Sequence, residues 1–219
     1  MTQARAIAVQ WGLLLMLAIS LVLALGIGSV MLSPSQVGHI IWSQITGQDS
    51  GLSPALVDII WDIRLPRVFL AAIVGAGLAL SGLIMQASVQ NPLAEPFILG
   101  IASGASVGAV GTILLGGSIL VGGMSLGVPM GAFLGAIVAT LGVLLLAGIR
   151  TRMSTVRLIL AGAVVSALCT ALSNFIIYMA GNTEGIQTAT FWMMGSLSNA
   201  RWDGLVLPMA MVAFMVAYF

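Results

Sequence analysis

The few charged residues cut this chain into long uncharged apolar runs, and that spacing leaves little choice of surroundings. A bilayer core takes roughly 20 apolar residues per crossing helix. Runs on that scale cover residues 11–32, 68–85 and 158–180. A longer uncharged tract, 97–149, is broken by Gly116, Gly117, Gly122, Gly123 and Pro129. It divides into a third span ending near Leu115 and a fourth from about Val128 to Ile149. The last run, 205–219, is fifteen residues long and is read as a sixth span cut short. The expectation is an all-α, polytopic transmembrane bundle, five complete spans plus a truncated sixth, forming a single domain over residues 1–219. A signal peptide is the alternative for the first run, since Arg5 precedes it, but secretory apolar cores are typically about 7 to 15 residues and this run is longer.

Composition closes off several chemistries. Hydrophobic residues make up 60% of the chain and charged ones 6%, against roughly a quarter charged in soluble domains. All seven basic residues are arginines, so a lysine-bearing phosphate loop is impossible. The net charge of +1 offers no patch for nucleic acid. Cys169, the one cysteine, reads as a small packing residue, and His39, the one histidine, as an amphipathic-helix residue without fellow metal ligands.

Arg150, Arg152 and Arg157 cluster between spans four and five, which by the positive-inside rule makes that connection cytoplasmic. Alternate crossings then put the amino terminus and "SVQNPLAEP" inside, and residues 33–67 and 181–204 outside. Arg64 and Arg67 are exceptions, being basic, external and placed where the second span's helix is expected to begin, with Pro66 in its first turn. Two readings stay open. Asp58 and Asp62 neutralise them locally while the guanidinium groups snorkel to headgroups, or the arginines meet an acidic external partner.

No Asp, Glu, Lys, Arg or His falls inside the apolar runs. That argues against a secondary transporter working alone by charge relay, with a channel or secondary transporter acting without an ATPase as the competing class, and against an intramembrane protease, which needs a histidine at depth. What the spans do carry is small residues at helical repeat: Gly100, Gly104 and Gly108; Gly127, Gly131 and Gly135; Ala71, Gly75 and Ala79. Such stripes let helices approach closely in lipid. In span five Ser166, Thr170 and Asn174 share one face, with Ser173 adjacent, and that face either lines a polar pathway or bonds to a neighbouring helix.

The ordered segments "RLPR", "GAGLALSGLIMQ", "NPLAEPFILGIASGASVGA", "STVRLILAGAVVSAL" and "FWMMGSLSNARW" resemble the FecCD-type permeases of ATP-driven importers for iron siderophores, haem and vitamin B12. The resemblance implies a type II ABC importer permease in the bacterial plasma membrane, without catalysis or cofactor of its own. It implies as partners a second permease subunit, an extracytoplasmic substrate-binding protein and cytoplasmic ATPase subunits. It also implies docking of the binding protein at Arg64 and Arg67, cytoplasmic gates at Asn91 and Leu93 and at Ser154 and Thr155, and a pathway lined by span five. The family's second inverted half and its ATPase-coupling loop are not among these residues.

Overall fold

The computed structural model describes residues 3–116, 120–121, 124–125, 127–148 and 155–218. Nine α-helices occur among them: α1 Gln3–Gly26, α2 Pro34–Thr46, α3 Pro54–Asp58, α4 Leu65–Val89, α5 Ile101–Leu115, α6 Gly127–Ala147, α7 Thr155–Met179, α8 Thr183–Met194 and α9 Trp202–Tyr218. Two strands of two residues each, Leu120–Val121 and Met124–Ser125, pair antiparallel between α5 and α6. The fold is the expected all-helical one. By length and composition α1, the continuous helical course Pro54–Val89, α6 and α7 are each able to cross a membrane.

Two spans differ from the sequence expectation. The third is shorter, because Pro96–Leu99 forms a 3₁₀ turn and Gly100, at φ +67°, breaks the course before α5 starts. α5 itself has 15 residues, about 22 Å at 1.5 Å per residue. The second begins earlier: helical backbone runs from Pro54 without interruption, through a π-helical turn at Ile59–Arg64. Pro66 is therefore inside a helical course and not at its start. In the π turn the Leu65 amide donates to the Ile60 carbonyl, five residues back. The next bond in that register would need an N–H on Pro66, which proline lacks. A widened turn just before a proline is a recognised way for a helix to absorb the missing bond.

The chain packs as two units, residues 1–80 with 197–219, and residues 81–196. In the first, Leu32, Val37, Ile40, Ile60 and Leu65 form a core joining the end of α1, α2 and the π turn. α2 is a helix that the hydrophobic runs alone did not reveal. Its start is written in "SPSQ": Ser33 accepts from the Gln36 amide, and the Gln36 side chain returns a bond to the Ser33 amide, a reciprocal capping box with Pro34 next to it. Ile40 is buried and His39 exposed on this helix. α1 buries none of its residues within the chain, as suits a helix apolar on every face in a lipid solvent.

In the second unit α5, α6 and α7 pack together, and α8 lies on α5, where Leu114 abuts Gly185. Ala139, Val143, Ala147, Leu158, Ala161 and Val165 form the buried core with Met85 and Ala94, and Cys169 packs against it. Hydroxyls on these helices mostly bond back to their own backbone, as Thr112 does to Gly108, Thr140 to Ala136 and Thr170 to Ser166. In lipid that satisfies the hydroxyl without a neighbour.

Candidate functional site

The small-residue stripes resolve into one close seam. A Cβ added at Gly108 would overlap the Gly131 carbonyl, and one at Gly135 would overlap the Gly104 carbonyl. At Gly104 the added atom would strike Ala139, and at Gly131 the Thr112 hydroxyl. α5 and α6 thus meet backbone to backbone at four glycines. Gly100 does a different job, taking the left-handed conformation that ends the 3₁₀ turn. Gly75 has open space where its side chain would be, and Ala71 and Ala79 are likewise exposed among the described residues. Reading the stripes missed Gly162: a Cβ there would overlap the Ile98 carbonyl, so this glycine admits the 3₁₀ turn against α7. The signal was the small triplet Ala161, Gly162 and Ala163.

At one end of the second unit the turn after α4 holds two of the gate candidates. Asn91 forms an Asx turn, its side-chain oxygen accepting from the Leu93 amide at 2.9 Å and its carbonyl accepting from Ala94 at 3.0 Å. That turn buries Ala94 and leaves Leu93 83% exposed. Gln90 precedes it with φ +53°, a left-handed end to α4. Thr155, at the start of α7, lines a cleft of about 470 Å3 with Ser88, Gln90, Leu99, Leu144 and Leu158. The structure therefore places the end of α4 and the start of α7 around one opening. Ser154 lies outside the described residues.

On α7 the proposed polar face is uneven. Thr170 and Asn174 are exposed and Ser166 is half-buried. Ser173 is fully buried and its hydroxyl has no hydrogen-bond partner among the described residues.

The two arginines of "RLPR" have different fates. Arg64 is 9% exposed. Its guanidinium donates through Nη1 to the Leu25 carbonyl at 2.7 Å and through Nη2 to the Val30 carbonyl. Arg67 is exposed and donates to the Ser198 carbonyl at 2.9 Å. Among the described residues neither has a carboxylate within ion-pair distance, whereas Arg201 lies 3.7 Å from Asp203. Asp58 and Asp62 thus make no close ion pair with either arginine among the described residues, and within this chain Arg67 is exposed while Arg64 is buried. Next to them the Trp202 indole N–H donates to the Trp61 carbonyl at 2.9 Å, the acceptor that Pro66 leaves without a backbone partner. The Trp202 ring packs on Trp61 and Phe69, with centroids 5.4 and 5.7 Å away. An open cavity of about 660 Å3 beside it is lined by Asp62 and residues 198–203. Among the described residues no cluster of three or more metal-ligating side chains occurs.

Comparison with known proteins agrees with this architecture. The molybdate import system permease protein MolB of Haemophilus influenzae is 35% identical over 202 residues, covering 90% of this chain and 56% of MolB. The vitamin B12 import system permease protein BtuC of Klebsiella pneumoniae is 38% identical over 202 residues, covering 92% of this chain and 55% of BtuC. The chain thus spans a little over half the length of these relatives. A solved structure of a metal-chelate type ABC transporter in an inward-facing conformation superposes with a TM-score of 0.70 at 31% identity, covering 94% of this chain and 59% of that one. The model of the FecCD transport family matches residues 15–219. The chain belongs to the FecCD transport family.

Proposed function

We propose that this chain is the membrane-spanning permease part of an ATP-driven importer in a bacterial inner membrane, contributing one wall of the path for a metal-containing solute. The observation that carries the reading is the FecCD match over residues 15–219. The absence of ionisable residues from the apolar runs supports it, since such a wall has no charge relay of its own and takes its driving energy from another chain. ATP hydrolysis then belongs to separate cytoplasmic subunits, and cargo arrives on an external binding protein. A second permease subunit completes the path. Arg64 and Arg67 are the docking groups for acidic residues of the binding protein. Asn91 and Leu93 belong to the cytoplasmic gate with Ser154 and Thr155, while Ser166, Thr170 and Asn174 face the path. The cargo class is a metal chelate such as an iron siderophore, within a range of relatives named for molybdate and vitamin B12.

The test is isolation of the tagged protein from its native membrane in mild detergent. Recovery of an ATPase in stoichiometric amount, with activity raised by the cargo-loaded binding protein, is expected. Recovery without an ATPase, together with solute flux in its absence, favours a self-sufficient channel or secondary transporter.

A further inference from the structure

Three observations converge on Trp202. Ile60 and Leu65 are both buried in one core although they are five residues apart. On a regular α-helix of roughly 3.6 residues per turn such a pair stands about 140° apart. The wide turn at Ile59–Arg64, bonded five residues back, brings both onto one side. Pro66 has no N–H to continue that register, which leaves the Trp61 carbonyl in need of a donor. The Trp202 indole supplies it at 2.9 Å. Its ring also packs on Trp61 before the proline and on Phe69 after it, bridging the break. From the same loop the Ser198 carbonyl accepts the Arg67 guanidinium at 2.9 Å.

We propose that Trp202 is a positioning residue for docking: residues 198–202 form a splint that keeps the wide turn in place, and the turn sets the direction in which Arg64 and Arg67 leave the helix. The splint rests on the docking proposed for Arg64 and Arg67 and changes nothing in their role. Arg64 ends the turn and Arg67 lies three residues beyond it. If the turn narrowed to α-helical bonding, the helix on one side would rotate by about 100° against the other, the step of one residue. Either Ile60 would leave its core or both arginines would point elsewhere. An indole suits the splint because it donates one bond and offers no acceptor that competes for backbone amides. The bond also ties the start of α9 to the turn before α4, across 141 residues of chain.

The experiment measures docking of the binding protein to the complete transporter in nanodiscs, and hydrogen exchange of the same transporter without binding protein. Trp202→Phe keeps a ring and removes the donor. It is expected to speed exchange at residues 60–65 and to weaken docking about threefold, less than Arg67→Glu, with the salt dependence unchanged because both charges remain. Pro66→Ala, which returns a backbone N–H to the Trp61 carbonyl, should restore docking to Trp202→Phe. Val143→Ala, a cavity in the core of the second unit, should lower the melting midpoint and leave docking as it was. The splint is overturned if exchange at 60–65 does not change, if Arg67→Glu weakens docking while Trp202→Phe does not, or if Val143→Ala weakens it equally. Unchanged docking in both Arg67→Glu and Trp202→Phe overturns the docking reading, and the splint with it. Should Trp202→Phe not fold in usable yield, the double variant with Pro66→Ala decides: docking and exchange at parental levels are expected, and lost docking overturns the splint.

Discussion

Four glycines decide how near α5 and α6 come, because at each the facing atom is backbone or a close side chain with no room to retreat. Gly108→Ala puts a methyl group into the Gly131 carbonyl and has to push the helices apart, at a cost of about 1–3 kcal/mol. Gly104→Leu, facing Ala139 and the Gly135 carbonyl, should exceed that range and impair assembly. Gly75→Ala serves as the control. It meets open space within the chain and sits in a helix interior, where alanine is favoured over glycine by roughly 0.5–1 kcal/mol. Melting of the three purified variants checks the order, and equal effects at Gly75 and Gly108 would show that the seam is not a close contact. The three small-residue stripes were all visible in the sequence, yet they were not equivalent. Spacing marks a face on a helix, whereas what fills that face depends on which helix lies opposite. For the same reason Gly162 escaped notice, since its neighbour is a carbonyl in a 3₁₀ turn that apolar periodicity does not register.

At the scale of elements, the course of α4 shows where sequence reading loses information. A proline after a polar cluster reads as a helix start, and the charges around it reinforce that reading. The structure instead carries the helix back to Pro54 by widening one turn, and gives the stranded Trp61 carbonyl to Trp202, 141 residues along the chain. No local pattern announces a bond of that length. Trp202→Phe keeps a ring against Trp61 and Phe69 but removes the donor, and should destabilise by about 1–3 kcal/mol through an unsatisfied carbonyl. Pro66→Ala supplies a competing backbone N–H, so Trp202→Phe should cost less in that background. A double-mutant cycle on melting reads the difference. Strict additivity would mean that the indole bond and the proline are unrelated. α2, by contrast, was legible to anyone looking for caps, because "SPSQ" supplies the capping box and the N-terminal proline in four residues.

For the whole molecule, orientation rests on Arg150 and Arg152, which lie between α6 and α7 outside the described residues, and on Arg157 in the first turn of α7. A cysteine at Ser154, in a background lacking Cys169, should react with an impermeant reagent only after right-side-out vesicles are permeabilised. Labelling of intact vesicles would invert the assignment of every loop. If Arg67 docks an acidic binding protein, Arg67→Glu should weaken that docking by about 1–2 kcal/mol, below the range of about 2–5 for buried pairs because the side chain is exposed. The salt dependence should flatten and ATPase co-purification should persist. Unchanged affinity and unchanged salt dependence would leave Arg67 solely as the anchor of the Ser198 carbonyl. The most direct test of the permease reading is uptake by the complete transporter reconstituted in liposomes, with the cargo-loaded binding protein sealed on one side and ATP on the other. Accumulation against a gradient that requires both ATP and the binding protein is the result predicted. Uptake that proceeds without either of them, at the same rate and driven only by a solute or ion gradient, would contradict it.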